Sequence, residues 1–234
     1  MMRRFSAAAA ASVALALIPG SASAKVIEIG QTPDAMVPAC PAKPCLAVSR
    51  TTGYQAKVGT NRGLMTAPAN GRIVAWTATL SKPSAPQIKF FESNYGGPAQ
   101  AGITVLKVAP HLRDTVKASG PLVSLTPYFG STAQFPLATS IPVLKGDLIA
   151  ITVPTWAPIL QVGLGGDTSW RAARTKNKCK DTATQTAQLN VGDKAQYACL
   201  YRTAKLTYTA TLITYAKKTN KPKKSSTGKK ASAR

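Results

Sequence analysis

The sequence predicts an all-β protein, a single β-sandwich, and three observations carry that expectation. Several windows alternate apolar residues with polar or β-branched ones, the period of a half-buried strand. No window sustains the 3.6-residue apolar period of an amphipathic helix. Turn signals such as "KPSAP", "NYGGPAQ", "KASGP" and "VGD" separate the short apolar runs, which is the punctuation of a sandwich or barrel.

At the N-terminus, Arg3 and Arg4 precede an apolar stretch rich in Ala, Leu and Val that Pro19 and Gly20 break. Ala22, Ser23 and Ala24 then supply a small-x-small pattern before Lys25. This is the layout of a secretory signal peptide over residues 1–24, too short to be read as a bilayer-spanning helix. The folded domain is expected over residues 25–214, with no membrane span, in a secreted chain that is extracellular or held at the cell surface. In residues 215–234, seven Lys and one Arg stand among Ser, Thr, Gly and Pro without an acid. Such a segment has too little to bury to offset its ordering entropy, so a disordered basic tail is expected.

Charge is uneven but everywhere positive. The formal net charge is +22. Ten of these charges belong to the two leader arginines and the tail, which leaves the body of the chain at +12. Glu28 and Glu92 are the only glutamates.

Within the body, "RIVAWTATL" places Val74, Trp76, Ala78 and Leu80 on one face and Ile73, Ala75, Thr77 and Thr79 on the other. In "KLTYTATLITYA", Leu206, Tyr208, Ala210 and Leu212 share a face opposite Thr207, Thr209 and Thr211. Further strands are expected at residues 45–50, 87–92, 102–108, 122–128, 148–153, 160–164 and 196–202. Between residues 140 and 154, "SIPVLKGDLIAITVP" sets Lys145-Gly146-Asp147 between two strand-like runs. Gly146 is free to take positive φ and Asp147 can accept from nearby amides, so the reading is a tight turn. Strand–Gly-Asp–strand segments recur in jelly-roll domains, and the expected sandwich is jelly-roll-like.

The four cysteines fall as Cys40/Cys45 and Cys179/Cys199. In an exported chain they read as disulfides, and of the three connectivities 40–45 and 179–199 close the shortest loops. A zinc site would need partners that Cys-x4-Cys and the single remote His111 do not supply.

"EIGQT" ahead of a cysteine pair, then "NGRIVAWTATL", "ITVLKV" and "FPLATSIPVLKGDLIAITV", resembles a group of uncharacterised secreted actinobacterial β-sandwich proteins. These share a Gly-Gln opening, a Cys-containing loop, an I-x-x-W strand and a (I/V)-P-V-x-x-G-D strand pair. The resemblance covers residues 27–153 and implies fold and compartment, with no catalytic residues.

Sequence signals for catalysis are weak. His111 and Asp114 stand three apart in "APHLRD", but there is no Gly-x-Ser-x-Gly elbow to supply a nucleophile. Two glutamates in a basic body do not favour a raised-pKa general acid. "GLGGDTSW" lacks the Lys-Ser/Thr of a phosphate loop and reads as a strand connection. The expectation is a protein that is not an enzyme and uses no cofactor or metal.

Three features could carry recognition. One is the tail, with Lys217, Lys218, Lys221, Lys223, Lys224, Lys229 and Lys230. The second is "WRAARTKNKCK", where Arg171, Arg174, Lys176, Lys178 and Lys180 crowd together. The third is the aromatic set Trp156, Trp170, Tyr197 and Tyr201, whose faces could stack on sugar rings if exposed. Trp76 is assigned to the core by its alternation partners. The expected function is charge-driven association with anionic cell-wall or extracellular polymers. The alternatives are a carbohydrate-binding site near residues 156–180 and non-specific, salt-dependent binding of extracellular nucleic acid.

Overall fold

The computed structural model describes residues 23–182 and 184–216. The seven tail lysines and all but the last two residues of the expected signal peptide lie outside the described residues. The strands are β1 Val26–Ile29, β2 Val48–Lys57, β3 Gly71–Thr79, β4 Gln100–Lys107, β5 Arg113–Ser119, β6 Val123–Ser124 and β7 Thr132–Val143. They continue as β8 Leu148–Ala157, β9 Leu160–Val162, β10 Ser169–Ala172, β11 Lys194–Gln196, β12 Cys199–Arg202, β13 Ala204–Leu206 and β14 Tyr208–Thr214. One helix, α1 Ala85–Tyr95, lies between β3 and β4.

All strand pairs are antiparallel, and the protein is an all-β sandwich. One sheet runs β1-β14-β3-β7, a second runs β11-β5-β4-β8-β2-β10-β12 with β6 beside β4, and β13 and β9 form a separate two-stranded sheet. Eight strands (β1, β2, β3, β4, β5, β7, β8 and β14) form its frame. Counted one to eight along the chain, they lie in the orders 1-8-3-6 and 5-4-7-2. Those two interleaved orders are the double Greek key of a jelly roll. Strands β9 to β13 are an insertion between the seventh and eighth frame strands.

The core lies between the sheets. Trp76, Ile103, Ile149, Ile151 and Tyr208 are fully buried there, and the Tyr208 hydroxyl donates to the Ile149 carbonyl at 3.0 Å. Leu148 to Val153 are buried on both faces of the strand. Leu206, Tyr208, Ala210 and Leu212 form the expected buried row, and Trp76 is core as expected. The opposite threonines hold a carboxylate. Thr209 and Thr211 both donate their hydroxyls to Glu28 of β1.

The Lys145-Gly146-Asp147 segment is a turn. Gly146 has φ +94°, and the Asp147 carboxylate accepts from the Leu144 amide at 2.7 Å and pairs with Lys117 at 2.5 Å. Both favoured disulfides are present, Cys40–Cys45 and Cys179–Cys199.

Several expected elements differ. Residues 87–92 are helical, within α1. Gln87 caps the helix start by accepting from the Ser84 amide at 2.8 Å, a Pro stands in the first turn, and Gly96 ends it in the left-handed region. In "RIVAWTATL" the expected face switches part-way. A register shift opposite β7 between Ile73 and Ala75 turns Ile73 into the core in place of Val74. Only Val123–Ser124 of 122–128 is strand, and a short 3₁₀ turn follows. The 196–202 run breaks at Tyr197 into the end of β11 and the whole of β12. "KLTYTATLITYA" changes sheets at Thr207, where β13 leaves β9 and β14 joins β3.

Candidate functional site

The insertion builds the site. Strand β10 joins the exposed edge of β2, with Arg171 opposite Tyr54 and Ala172 opposite Gly53. Gly53 makes this contact possible, since a Cβ there would stand 2.7 Å from the Arg171 carbonyl oxygen. Strand β12 adds outside β10, placing Leu200 opposite Arg171 and Arg202 opposite Ser169. At the far end of the same sheet, β11 adds to β5.

Only Tyr197 and Ala198 separate β11 from β12, although these strands are the two ends of the sheet. A two-residue link cannot span a flat seven-strand sheet, whose neighbouring strands lie about 4.8 Å apart. The sheet therefore curls until its edges meet. Tyr197 stands at the seam, fully buried, with its amide donating to the Leu112 carbonyl at 2.9 Å and its ring centroid 5.3 Å from that of Tyr54.

Inside the curl lies a polar floor. The Thr52 and Thr152 hydroxyls are 2.9 Å apart and those of Thr152 and Thr104 are 2.6 Å apart, a hydroxyl row across three strands. The Gln188 amide donates to Thr52 Oγ1 at 3.1 Å and ties the insertion to this row. Asp114 is buried near Tyr54 and Tyr197, with one carboxylate oxygen accepting from the Ala109 amide at 3.0 Å and the other without a partner. Burial raises its pKa, against the pull of the Ala109 N–H. Burial, reinforced by the Asp114 charge and opposed by Arg171, pushes the Tyr54 phenol up to about 12. Tyr197 is shifted upward for the same first cause.

Trp156 and Trp170 are not exposed platforms. Trp156 is 0% exposed, packed against Phe91 and Phe129 at 4.8 and 5.5 Å, with its indole N–H donating to the Gly97 carbonyl. Trp170 is 3% exposed and stacked on Tyr201 at 4.4 Å. Neither presents a face to a sugar ring. In a sandwich whose second sheet is covered on both sides, strand-borne indoles fill the layers. Arg174 is likewise turned inward. It is 4% exposed, lies over the Tyr201 ring at 5.6 Å, and donates to the Ser49 and Cys179 carbonyls and the Tyr201 hydroxyl. It anchors the segment after β10 against β2.

The remaining predicted cations surround that anchor. Lys176, Lys178 and Lys180 are exposed and Arg171 is half-buried. Four cavities run along the insertion, linked by shared residues. One of about 440 Å³ is lined by Arg174, Lys176 and Lys194 with Gln185 and Gln188. A second, about 630 Å³, shares Lys176 and adds Lys178 and Lys180. A third, about 360 Å³, takes in Arg174, Trp170, Tyr201 and Arg202. The fourth, about 240 Å³, shares Arg202 and adds Lys57, Arg62 and Arg171. Asp181 of the second is the only acidic residue lining any of the four.

Lys57, Arg62, Lys194 and Arg202 were not legible as members of this set. They come from three separate stretches of chain, and only the pairing of β2, β10 and β12 gathers Lys57, Arg62 and Arg202 around Arg171. His111 is exposed, and Asp114 bonds to Ala109 rather than to it. Among the described residues, no group of three His, Cys, Asp or Glu side chains is placed to hold a metal ion, and no helix is long and apolar enough to cross a membrane. No protein-family profile, curated protein sequence or solved structure matches this chain.

Proposed function

We propose that this chain is an exported, non-enzymatic protein that associates with anionic cell-envelope polymers through the cationic insertion on its jelly-roll frame, assisted by its basic tail. The observation that carries this reading is the run of four connected cavities along the insertion, lined by cations with a single acid among them. A frame that keeps ordinary sandwich packing while its one long insertion gathers uncompensated positive charge has a surface suited to a polyanion. Two disulfides support an oxidising, extracellular setting. The N-terminal leader pattern supports export.

A pull-down of residues 25–234 on cell wall, neutral polysaccharide and DNA tests this, run at low and high salt beside a version ending at Thr214. Roughly 1 M salt shortens the Debye length to about 3 Å, so a charge-held complex releases. The expected result is retention on wall polymer at low salt, release at high salt, and partial retention by the shortened version through the insertion. Retention on neutral polysaccharide at high salt would overturn the reading.

A further inference from the structure

The fourth cavity differs from the other three in how its cations are held. Tyr54, Arg171 and Leu200 form one row across β2, β10 and β12, and Arg202 stands one step along on β12, the diagonal neighbour of Arg171 on the same face. Diagonal neighbours on one sheet face lie about 7–8 Å apart, comparable to the screening length of about 8 Å at physiological salt, so the two charges still repel. Arg62, from the segment after β2, and Lys57 line the same space of about 240 Å³. No acid lines it.

These cations also lack protein partners. Among the described residues, the Arg62, Arg202 and Lys57 side chains make no hydrogen bond or ion pair, and the one ion pair is Lys117–Asp147 on another part of the sheet. Arg171 uses one guanidinium nitrogen, donating to the Tyr197 carbonyl at 3.1 Å, and its other nitrogens have no acceptor. That bond ties it to the seam of the curled sheet. The result is one Arg held in place, with two more and a Lys around it, and no acidic side chain lining the space between them.

The number of donors decides the ligand class. A carboxylate has two oxygens, which a single guanidinium fork satisfies. Three guanidinium groups and an ammonium around a small cavity match an anion with three or four oxygens spread in three dimensions. We infer that the cavity between β2, β10 and β12, lined by Lys57, Arg62, Arg171 and Arg202, binds a phosphoryl group, either free or as the monoester end of a larger molecule. This rests on the polyanion reading for its setting, but the pocket is defined by its own residues. Binding relieves the repulsion between Arg171 and Arg202, so phosphate binding and folding stability rise together.

The test is a calorimetric titration of the full chain with inorganic phosphate, glycerol phosphate and acetate at matched ionic strength. Saturable binding of phosphate with little or none of acetate is expected. Arg62→Gln and Arg202→Gln alter exposed side chains, so the fold is retained, and each is expected to weaken phosphate binding about tenfold or more through loss of a charge-assisted hydrogen bond. Arg171→Gln should do the same, and circular dichroism shows whether its sheet is intact. Equal binding of phosphate and acetate, or phosphate binding unchanged in both Arg62→Gln and Arg202→Gln, overturns the inference. Binding of glycerol phosphate as tight as phosphate supports an ester-borne group, and its exclusion overturns that source. Retention of the full chain on wall polymer at low salt is measured alongside. If retention fails while phosphate still binds, the polymer reading falls and the pocket stands. If retention persists without phosphate selectivity, the pocket falls alone.

Discussion

Replacing Trp156 with Ala should cost the fold, because the indole is part of the core and has no free face. Trp156 is 0% exposed, stacked on Phe91 and packed against the tilted Phe129 ring, and its N–H is tied to Gly97 just beyond α1. Truncating a fully buried Trp removes its transfer free energy and leaves a cavity, together about 3–5 kcal/mol. The packing of α1 on β8 depends on the Phe91–Trp156 stack, so the damage should include that helix. For a domain of this size about 1 kcal/mol corresponds to roughly 2–4 °C, which gives a fall in Tm of roughly 6–20 °C. Thermal unfolding followed by near-ultraviolet circular dichroism measures it, with a urea titration to check that the slope is unchanged. Trp156→Phe keeps most of the apolar volume and should lose far less. If Trp156→Ala unfolds at the wild-type temperature while binding to a neutral polysaccharide disappears, the indole faces solvent and the core assignment is refuted.

Other outcomes follow from single contacts. Gly53→Ala sets a Cβ 2.7 Å from the Arg171 carbonyl and should push β10 off β2, destabilising the chain by about 1–3 kcal/mol and weakening polyanion retention, read by denaturation and by the salt pull-down. Breaking Cys179–Cys199 with a Cys199→Ser substitution opens a link of sequence separation 20 and should cost about 3 kcal/mol, with early proteolytic cleavage in residues 175–190 as the readout. The Tyr54 pKa is raised to about 12, so the folded state keeps this proton after the unfolded chain has lost it. Its share of stability, about 2–3 kcal/mol, is whole below pH 10 and is lost as pH rises toward 12. Urea midpoints between pH 9 and 12 should fall less steeply in Tyr54→Phe than in the unmodified chain. Asp114→Asn should stabilise the chain at neutral pH, since the buried carboxyl has a raised pKa and its ionised form is the disfavoured one. A loss of stability there would show that the Asp114 charge has a partner.

Much of the frame was legible because its signals are local. Period-two alternation marked β14 and most of β3, a bounded apolar run marked β8, and Gly146 with Asp147 marked the turn before it. Short sequence separations marked both disulfides. The errors have equally local causes. Residues 87–92 carry apolar side chains that fit either element, and the capping signal at Ser84 and Gln87 outweighs them. The register shift in β3 depends on β7, some sixty residues away, so no window around Ile73 contains it. Strands β5, β7 and β10 alternate too weakly, or are too short, to stand out before their partners are known.

The candidate site divides along the same line. Its cationic loop was visible as composition in Arg171, Arg174, Lys176, Lys178 and Lys180, whereas the exposure of the nearby aromatics was not. Exposure is decided by what covers a residue, and the insertion that carries Trp170 also supplies its cover, Tyr201. Arg174 was placed among the recognition residues by sequence proximity, yet its hydrogen bonds run to Ser49 and Cys179 inside the protein.

By itself, the sequence determined the strand-rich class and the excess of positive charge and favoured the short-loop pairing of its cysteines, because each depends on residue type and short spacing. Tertiary structure alone decided that residues 158–207 join both edges of one sheet, that the two-residue link at Tyr197 curls that sheet shut, and that Arg62 and Arg202 meet Arg171 at its end. Those outcomes depend on which strands pair and in what register. That is settled by closing the whole core at once, so no short window of the chain carries it.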